Sequence, residues 1–320
     1  MQSVASQLNQ DKTPAPLTEL VLTLLSASTA IAHKVRQGAL AGVLGSAAQQ
    51  NVQGETQKKL DVIANDILKE ALLASAHVKS VASEEEDNVV PGNPSGAYVV
   101  AFDPLDGSSN IDINGQIGTI FTIYRALPDV AADSHKQFAQ QGRAQVCAGY
   151  VLYGPSTQLA LTTGGPSRLY TLDPHDTYQL TQAELAIAPE CQEFSVNMSN
   201  LRHWSPALQG YIQSLQAGKD GVRSKDFNMR WNGAMVGDVH RVLMRGGIFL
   251  YPANTQGAVH NGKLRLLYEA NPMALLVERA GGRASDGKQA ILDIEPGTLH
   301  QRVPVFMGAA QEVAKLEGLV

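Results

Sequence analysis

The chain has 320 residues, 44% hydrophobic and 17% charged, enough apolar material for one large domain or two of moderate size. A formal charge of −5, with no long Lys/Arg run, speaks against nucleic acid or an anionic membrane surface as partner, since both demand clustered cations. Two cysteines, Cys147 and Cys191, rule out a disulfide scaffold, and neither has a neighbour at zinc-ligand spacing. The start MQSVASQLNQDKTPAP lacks a basic stretch leading into an apolar one, and no run of about 18 apolar residues follows. A cytoplasmic, enzyme-sized protein is the expectation.

Residues 1–16 are polar and proline-containing and read as a mobile arm. Leu17, Leu20, Val21, Leu24, Leu25, Ile31, Ala32 and Val35 recur at helical spacing, with Gly38 as a stop. Leu60, Ile63, Ala64, Ile67, Leu68, Ala71 and Leu72 predict a second helix, with Asp61 and Asn65 four apart off its apolar stripe. From Val78 the period changes. Runs at 78–82, 98–102, 118–124, 146–153, 158–162 and 168–172 are β-branched or aromatic and bounded by turn residues. Five of the six lie between 98 and 172 with no helical pattern among them, which predicts a largely antiparallel or mixed sheet covered by the first two helices.

The last third returns to alternation. Met235, Val236, Val239, Val242 and Leu243 mark a helix closed by Gly246-Gly247, and residues 248–251 and 264–268 read as strands. Asn271-Pro272 then starts a helix as N-cap and first-turn proline, ended by Gly281-Gly282. A boundary near 180–195 divides the chain into a 1–185 part and a 186–320 part.

Four clusters carry chemistry. Ser83-Glu84-Glu85-Glu86-Asp87 follows a predicted strand, and so does Asp103-Pro104-Leu105-Asp106-Gly107-Ser108-Ser109. Pro104 makes a rigid corner, so Asp103, Asp106 and the Leu105 carbonyl can aim into one space, as hard cations require. Gly107, Ser108 and Ser109 then offer hydroxyls and successive N–H groups, an anion-binding arrangement. Tyr268-Glu269 precedes the Asn271-Pro272 helix, and Arg230, Lys263 and Arg265 accompany Tyr251. Singly, these are a solvated acidic loop, a turn, a first-turn helix acid and surface charges. Together, acids from three strand ends, a phosphate-type loop and a few cations match a two- or three-metal phosphatase.

Ser83-Glu84-Glu85, residues 102–112 (FDPLDGSSNID), 246–252 (GGIFLYP), 262–269 (GKLRLLYE) and Asn271-Pro272-Met273 resemble the class I fructose-1,6-bisphosphatase family, in order, over roughly residues 20–318. Inositol monophosphatases share the Asp-Pro-Leu-Asp-Gly-Ser element but close their site with a late Trp-Asp, where this chain has Tyr268-Glu269. The resemblance implies an α/β (α+β) fold, a layered α/β/α/β/α sandwich with mixed sheets covered by helices, and a homotetramer. It implies Glu84, Glu85, Asp103, the Leu105 carbonyl, Asp106 and Glu269 as ligands for two to three Mg²⁺ ions, with Mn²⁺ or Zn²⁺ as substitutes. Asp61 and Glu85 would activate water, assisted by Glu55. Gly107, Ser108 and Ser109 would hold the C1 phosphate. Asn197, Tyr251, Lys263 and Arg230, the last from a neighbouring subunit, would hold the sugar and the C6 phosphate. Trp231 stands there in place of the usual tyrosine. The implied reaction is hydrolysis of the C1 phosphate of fructose-1,6-bisphosphate. Sedoheptulose-1,7-bisphosphate, an inositol phosphate, or a non-catalytic sugar-phosphate sensor are the alternatives.

Overall fold

The structure is a computed structural model that describes residues 2–50, 56–255 and 259–319; Glu55 lies outside the described residues. The helices are α1 (Val4–Gln10), α2 (Ala15–Gln37), α3 (Lys59–Leu73), α4 (Pro206–Gln216), α5 (Met235–Arg245), α6 (Asn271–Arg279) and α7 (Ala310–Leu316). A short antiparallel pair, β1 (Ser46–Gln50) and β2 (Thr56–Lys58), lies between α2 and α3.

Eight strands build the first large sheet: β3 (Val78–Ser83), β4 (Val90–Pro91), β5 (Tyr98–Asp106), β6 (Ile117–Arg125), β7 (Gln145–Tyr153), β8 (Thr157–Thr162), β9 (Arg168–Leu172) and β10 (Tyr178–Gln182). Their order is β10-β9-β8-β7-β6-β5-β3-β4. Every neighbouring pair is antiparallel except β3 and β5, which run parallel and so end side by side. Both faces are covered, which is why the strands read as continuous apolar runs rather than alternating ones. Phe121, Cys147, Val151 and Leu159 face α2 and α3. Ile120, Ala148, Tyr150 and Leu152 face the opposite way, onto α5 and α6.

Beyond α5 and α6 lies a second sheet made of β11 (Glu193–Ser195), β12 (Asn228–Met229), β13 (Ile248–Tyr251), β15 (Arg283–Ser285) and β17 (Val305–Gly308), in the order β12-β11-β13-β17-β15. It mixes parallel and antiparallel neighbours. Helices α4 and α7 pack into the same core. A separate pair joins β14 (Leu264–Arg265) to β16 (Arg302–Val303). The layers are therefore α/β/α/β/α, as the resemblance implies.

Several expectations need correction. The arm at residues 1–16 contains a helix: Ser3 caps α1 through the Ser6 N–H at 3.2 Å, Val4 and Leu8 are buried, and Arg168 pairs with Asp11 at 2.5 Å. The strand expected over 264–268 is only two residues long. From Leu266 to Ala270 the chain makes a wide five-residue helical turn that runs directly into α6, so Asn271 is helical and is not the N-cap of α6. Ser205-Pro206 starts α4 by an ordinary cap, with the Leu208 N–H on Ser205 Oγ at 3.2 Å, a signal present in the sequence and passed over. The stretch Ala15–Ala41 is also long and apolar enough to cross a membrane, contrary to the expectation. Its Leu20, Val21, Leu24 and Ile31 are instead fully buried within this fold, each contributing about 1.5–3 kcal/mol of burial.

Candidate active site

The parallel ends of β3 and β5 deliver their acids to one place, the position where open α/β sheets bind ligands. Residues three apart on a regular strand point to opposite faces. The β5–β6 register shifts between Asp103 and Asp106, and the irregularity returns both carboxylates to the same side. Asp103 Oδ1 accepts the Leu105 N–H at 2.9 Å, which fixes the corner at Pro104. Gly107 follows with φ +86°, and a Cβ there would fall 2.5 Å from Ala234 Cβ, so the turn requires glycine. Asp106 Oδ2 accepts the Val236 N–H of α5 at 2.6 Å.

Glu269 enters from the wide turn before α6, its Oε2 accepting the Arg265 N–H at 2.6 Å. One carboxylate oxygen each from Asp103, Asp106 and Glu269 lie within 4.8 Å of one another, and all three residues are buried. Glu84 is buried beside them. Its Oε1 pairs with Arg265 Nη1 at 2.9 Å, while Oε2 is enclosed with no hydrogen-bond partner among the described residues. Arg265 is thus a buried counter-ion rather than a surface charge. The sequence placed it among the cations, but nothing in the 181-residue separation from Glu84 could reveal the pairing.

Asp61 Oδ2 accepts the Lys58 N–H at 2.7 Å, closing the first turn of α3, and Oδ1 accepts from Ser108 Oγ at 2.8 Å. Ser108 Oγ is also 3.1 Å from the Leu105 carbonyl. Asp61 and the turn that follows Asp106 are therefore joined through Ser108. Glu85 lines the same pocket, its N–H on Ser83 Oγ at 3.2 Å.

These groups line a pocket of about 480 Å³, together with Gly107, Ser109, Asn197, Trp231, Tyr251 and Lys263. Three larger cavities, two of about 790 Å³ and one of about 680 Å³, lie away from the acid cluster. Asn197 Oδ1 accepts the Ser199 N–H at 3.2 Å, and the Trp231 indole lies parallel to Phe249 and tilted against Tyr251. Arg230 is not brought in: it is exposed, with Nη1 on the Met229 carbonyl at 2.8 Å. Lys58, which also lines the pocket, was missed by sequence reasoning because its role depends on the α3 cap.

Burial and mutual repulsion dominate the electrostatics. Burial, then Glu84, hold Asp103 and Glu269 well above the usual carboxylate range. Asp106 is pushed up to about 7, burial outweighing the Val236 N–H, and burial likewise raises Asp61 to about 6. The pocket carries six acids (Asp61, Glu84, Glu85, Asp103, Asp106, Glu269) against Lys58, Lys263 and Arg265. Oxygen-only donors, an unpartnered buried carboxylate oxygen and that excess of negative charge fit a hard divalent cation. Without one, a phosphorylated ligand would meet net repulsion.

Comparison with known proteins follows the same line. Residues 2–183 match the family model described as fructose-1-6-bisphosphatase, N-terminal domain, and residues 187–320 match its C-terminal domain. The class 1 fructose-1,6-bisphosphatase of Cellvibrio japonicus is 61% identical over 314 residues, covering 98% of this chain and 97% of that protein. That of Saccharophagus degradans is 58% identical over 315 residues, covering 98% of each. The crystal structure of the holo form of Leishmania major fructose-1,6-bisphosphatase superposes with a TM-score of 0.93 at 36% identity, covering 99% of this chain and 98% of that one. On fold, motif order and full-length similarity, the chain belongs to the fructose-1,6-bisphosphatase family.

Proposed function

We propose that this chain hydrolyses the C1 phosphate of fructose-1,6-bisphosphate, releasing fructose-6-phosphate and phosphate, in a reaction that depends on divalent cations. The observation that carries this reading is the buried Asp103–Asp106–Glu269 cluster, set directly before the Gly107–Ser109 turn. Glu84, Glu85 and the Leu105 carbonyl complete the donor set for two to three Mg²⁺ ions, with Mn²⁺ or Zn²⁺ as substitutes. Bound there, the cations supply charge neutralisation for the transferring phosphoryl group and an activated water.

The chain's own residues do the rest. Asp61 and Glu85 take the proton of the attacking water, and an Asp61 carboxyl raised to about 6 is suited to a base at neutral pH. The N–H groups and hydroxyls of Gly107, Ser108 and Ser109 hold the phosphoryl oxygens. Asn197, Trp231, Tyr251 and Lys263 receive the sugar and the C6 phosphate, with Arg230 supplied by a neighbouring subunit of a homotetramer. The exposed position of Arg230 supports that assembly. Residues 1–185 and 186–320 act as two units meeting at the site. A cytoplasmic setting agrees with the two free, buried cysteines.

Sedoheptulose-1,7-bisphosphate, one carbon longer and open to the same metal chemistry, is the second substrate to test, because Trp231 lines the pocket where the resemblance has a tyrosine. Phosphate release from the two bisphosphates and from inositol-1-phosphate, with Mg²⁺ or with chelator, tests the assignment. Mg²⁺-dependent release from fructose-1,6-bisphosphate well above the others is expected. A preference for inositol-1-phosphate, or turnover indifferent to chelator, would overturn it.

A further inference from the structure

Trp231 and Gly233 form part of the pocket wall, and their stretch belongs to no regular element, since β12 ends at Met229 and α5 begins at Met235. One buried carboxylate holds it. Asp238, in the first turn of α5, is 1% exposed. Its Oδ1 accepts from Ser195 Oγ at 2.7 Å, from the Asn232 N–H at 2.9 Å and from Asn232 Nδ2 at 3.3 Å. Its Oδ2 accepts the Gly233 N–H at 3.2 Å. From the other side, Asn110 Nδ2 at the end of the phosphate-type loop donates to the Asn232 carbonyl at 3.0 Å.

The same helix start gives its Val236 N–H to Asp106. Asp238 therefore fixes the Trp231 segment to the element that also holds the acid cluster. No salt bridge among the described residues neutralises Asp238, and burial raises its carboxyl above the ordinary range. A buried charge without a cation is costly. Here four donors from two segments, β11 and Asn232–Gly233, compensate it, which is more than a helix cap needs. An asparagine would keep Oδ1 but turn an NH₂ group toward the Gly233 N–H.

We propose that Asp238 is a positioning residue for substrate selection: it holds the Trp231–Gly233 wall at a set distance from the acid cluster and so favours substrates with a second phosphate. This rests on the reading of Trp231, Tyr251 and Lys263 as contacts for the distal end of the sugar.

The test compares fructose-1,6-bisphosphate with fructose-1-phosphate in Asp238→Asn, Trp231→Ala and the double variant, at saturating Mg²⁺. Asp238→Asn is expected to lower kcat/KM for the bisphosphate about 10- to 100-fold, mainly through KM, as misplacement of a positioning group does. Loss on fructose-1-phosphate should stay under about threefold, and Asp238→Asn should add less than about threefold in the Trp231→Ala background. Equal losses on both substrates, or independent effects of the two substitutions, would overturn the inference and leave Asp238 a fold residue. A Trp231→Ala enzyme with unchanged preference would instead overturn the distal-contact reading beneath it. If Asp238→Asn does not fold, Ser195→Ala, which removes one of the four donors, replaces it in the same cycle with the same sign and a smaller effect.

Discussion

At the scale of the residue, the site is a problem of charge. Asp103 and Glu84 sit among other buried acids, so neither is a plausible surface ornament. Asp103→Ala or Glu84→Ala should reduce Mg²⁺-dependent phosphate release by at least about 10²-fold, the scale of losing one electrostatic group in a preorganised site. Near-normal turnover at saturating Mg²⁺ would remove either residue from the site. Arg265 gives a separate prediction. Replacing it with Met leaves Glu84 buried without its cation, and losing one partner of a buried pair costs about 3–5 kcal/mol. The melting temperature of Arg265→Met should fall in chelator and recover more on adding Mg²⁺ than that of the native protein. An equal Mg²⁺ response in both proteins would count against a cation beside Glu84. Away from the site, burial lowers His240 from 6.5 to about 4, with Tyr150 Oη 2.8 Å from Nδ1. The folded state then binds the proton less readily than the unfolded state. Stability is full above about pH 6.5 and is lost as pH falls toward 4, by about 3 kcal/mol. His240→Asn, which keeps an acceptor near the Nδ1 position, should flatten this limb in urea unfolding measured from pH 7 to 4.

At the scale of the element, what could be read from the chain depended on length and on which faces are buried. The strands from Tyr98 to Leu172 were visible because both faces are covered and each run is long enough to show it. The second sheet was largely hidden: β11 and β15 have three residues each, too few to display any period. Leu266–Tyr268 read as the end of a strand because an apolar run has no period to separate a strand from a buried helical turn. The acids at the ends of β3 and β5 were legible, since strand ends followed by Asp, Pro and Gly announce themselves. The roles of Arg265, Lys58 and Asp238 were not, because each depends on a partner supplied by tertiary packing or by a cap. Gly107 tests the turn between those worlds. With φ +86° and Ala234 in contact range, Gly107→Ala should cost about 1–3 kcal/mol of stability, the scale of one strained backbone position. It should also shift the Ser108–Asn110 turn, so phosphate release should fall further than the stability loss accounts for. Unchanged kcat/KM in a well-folded Gly107→Ala protein would separate this turn from phosphate binding.

At the scale of the whole molecule, the pocket of one chain gathers acids from both halves but leaves Arg230 on the surface, its guanidinium on its own Met229 carbonyl. In this conformation the side chain rests outside its own chain's pocket. Assembly resolves the difficulty if two subunits exchange Arg230 across an isologous interface, which two-fold symmetry makes reciprocal. Complementation then gives a sharp test. Arg230→Ala subunits retain every acid but lack the lent cation, whereas Asp103→Ala subunits lack the acid but still carry Arg230. Each variant alone should be poorly active on fructose-1,6-bisphosphate. Unfolded, mixed and reassembled together, they should regain activity in the hybrid oligomers, because an Arg230→Ala site then borrows its arginine from an Asp103→Ala neighbour. Recovery should be specific to that pairing and should be missing when Asp103→Ala is mixed with Glu84→Ala, both of which lesion the acid cluster of their own chain. Hybrids no more active than the sum of their parts would confine Arg230 to the surface and return the C6 phosphate to Lys263 and its neighbours within a single chain.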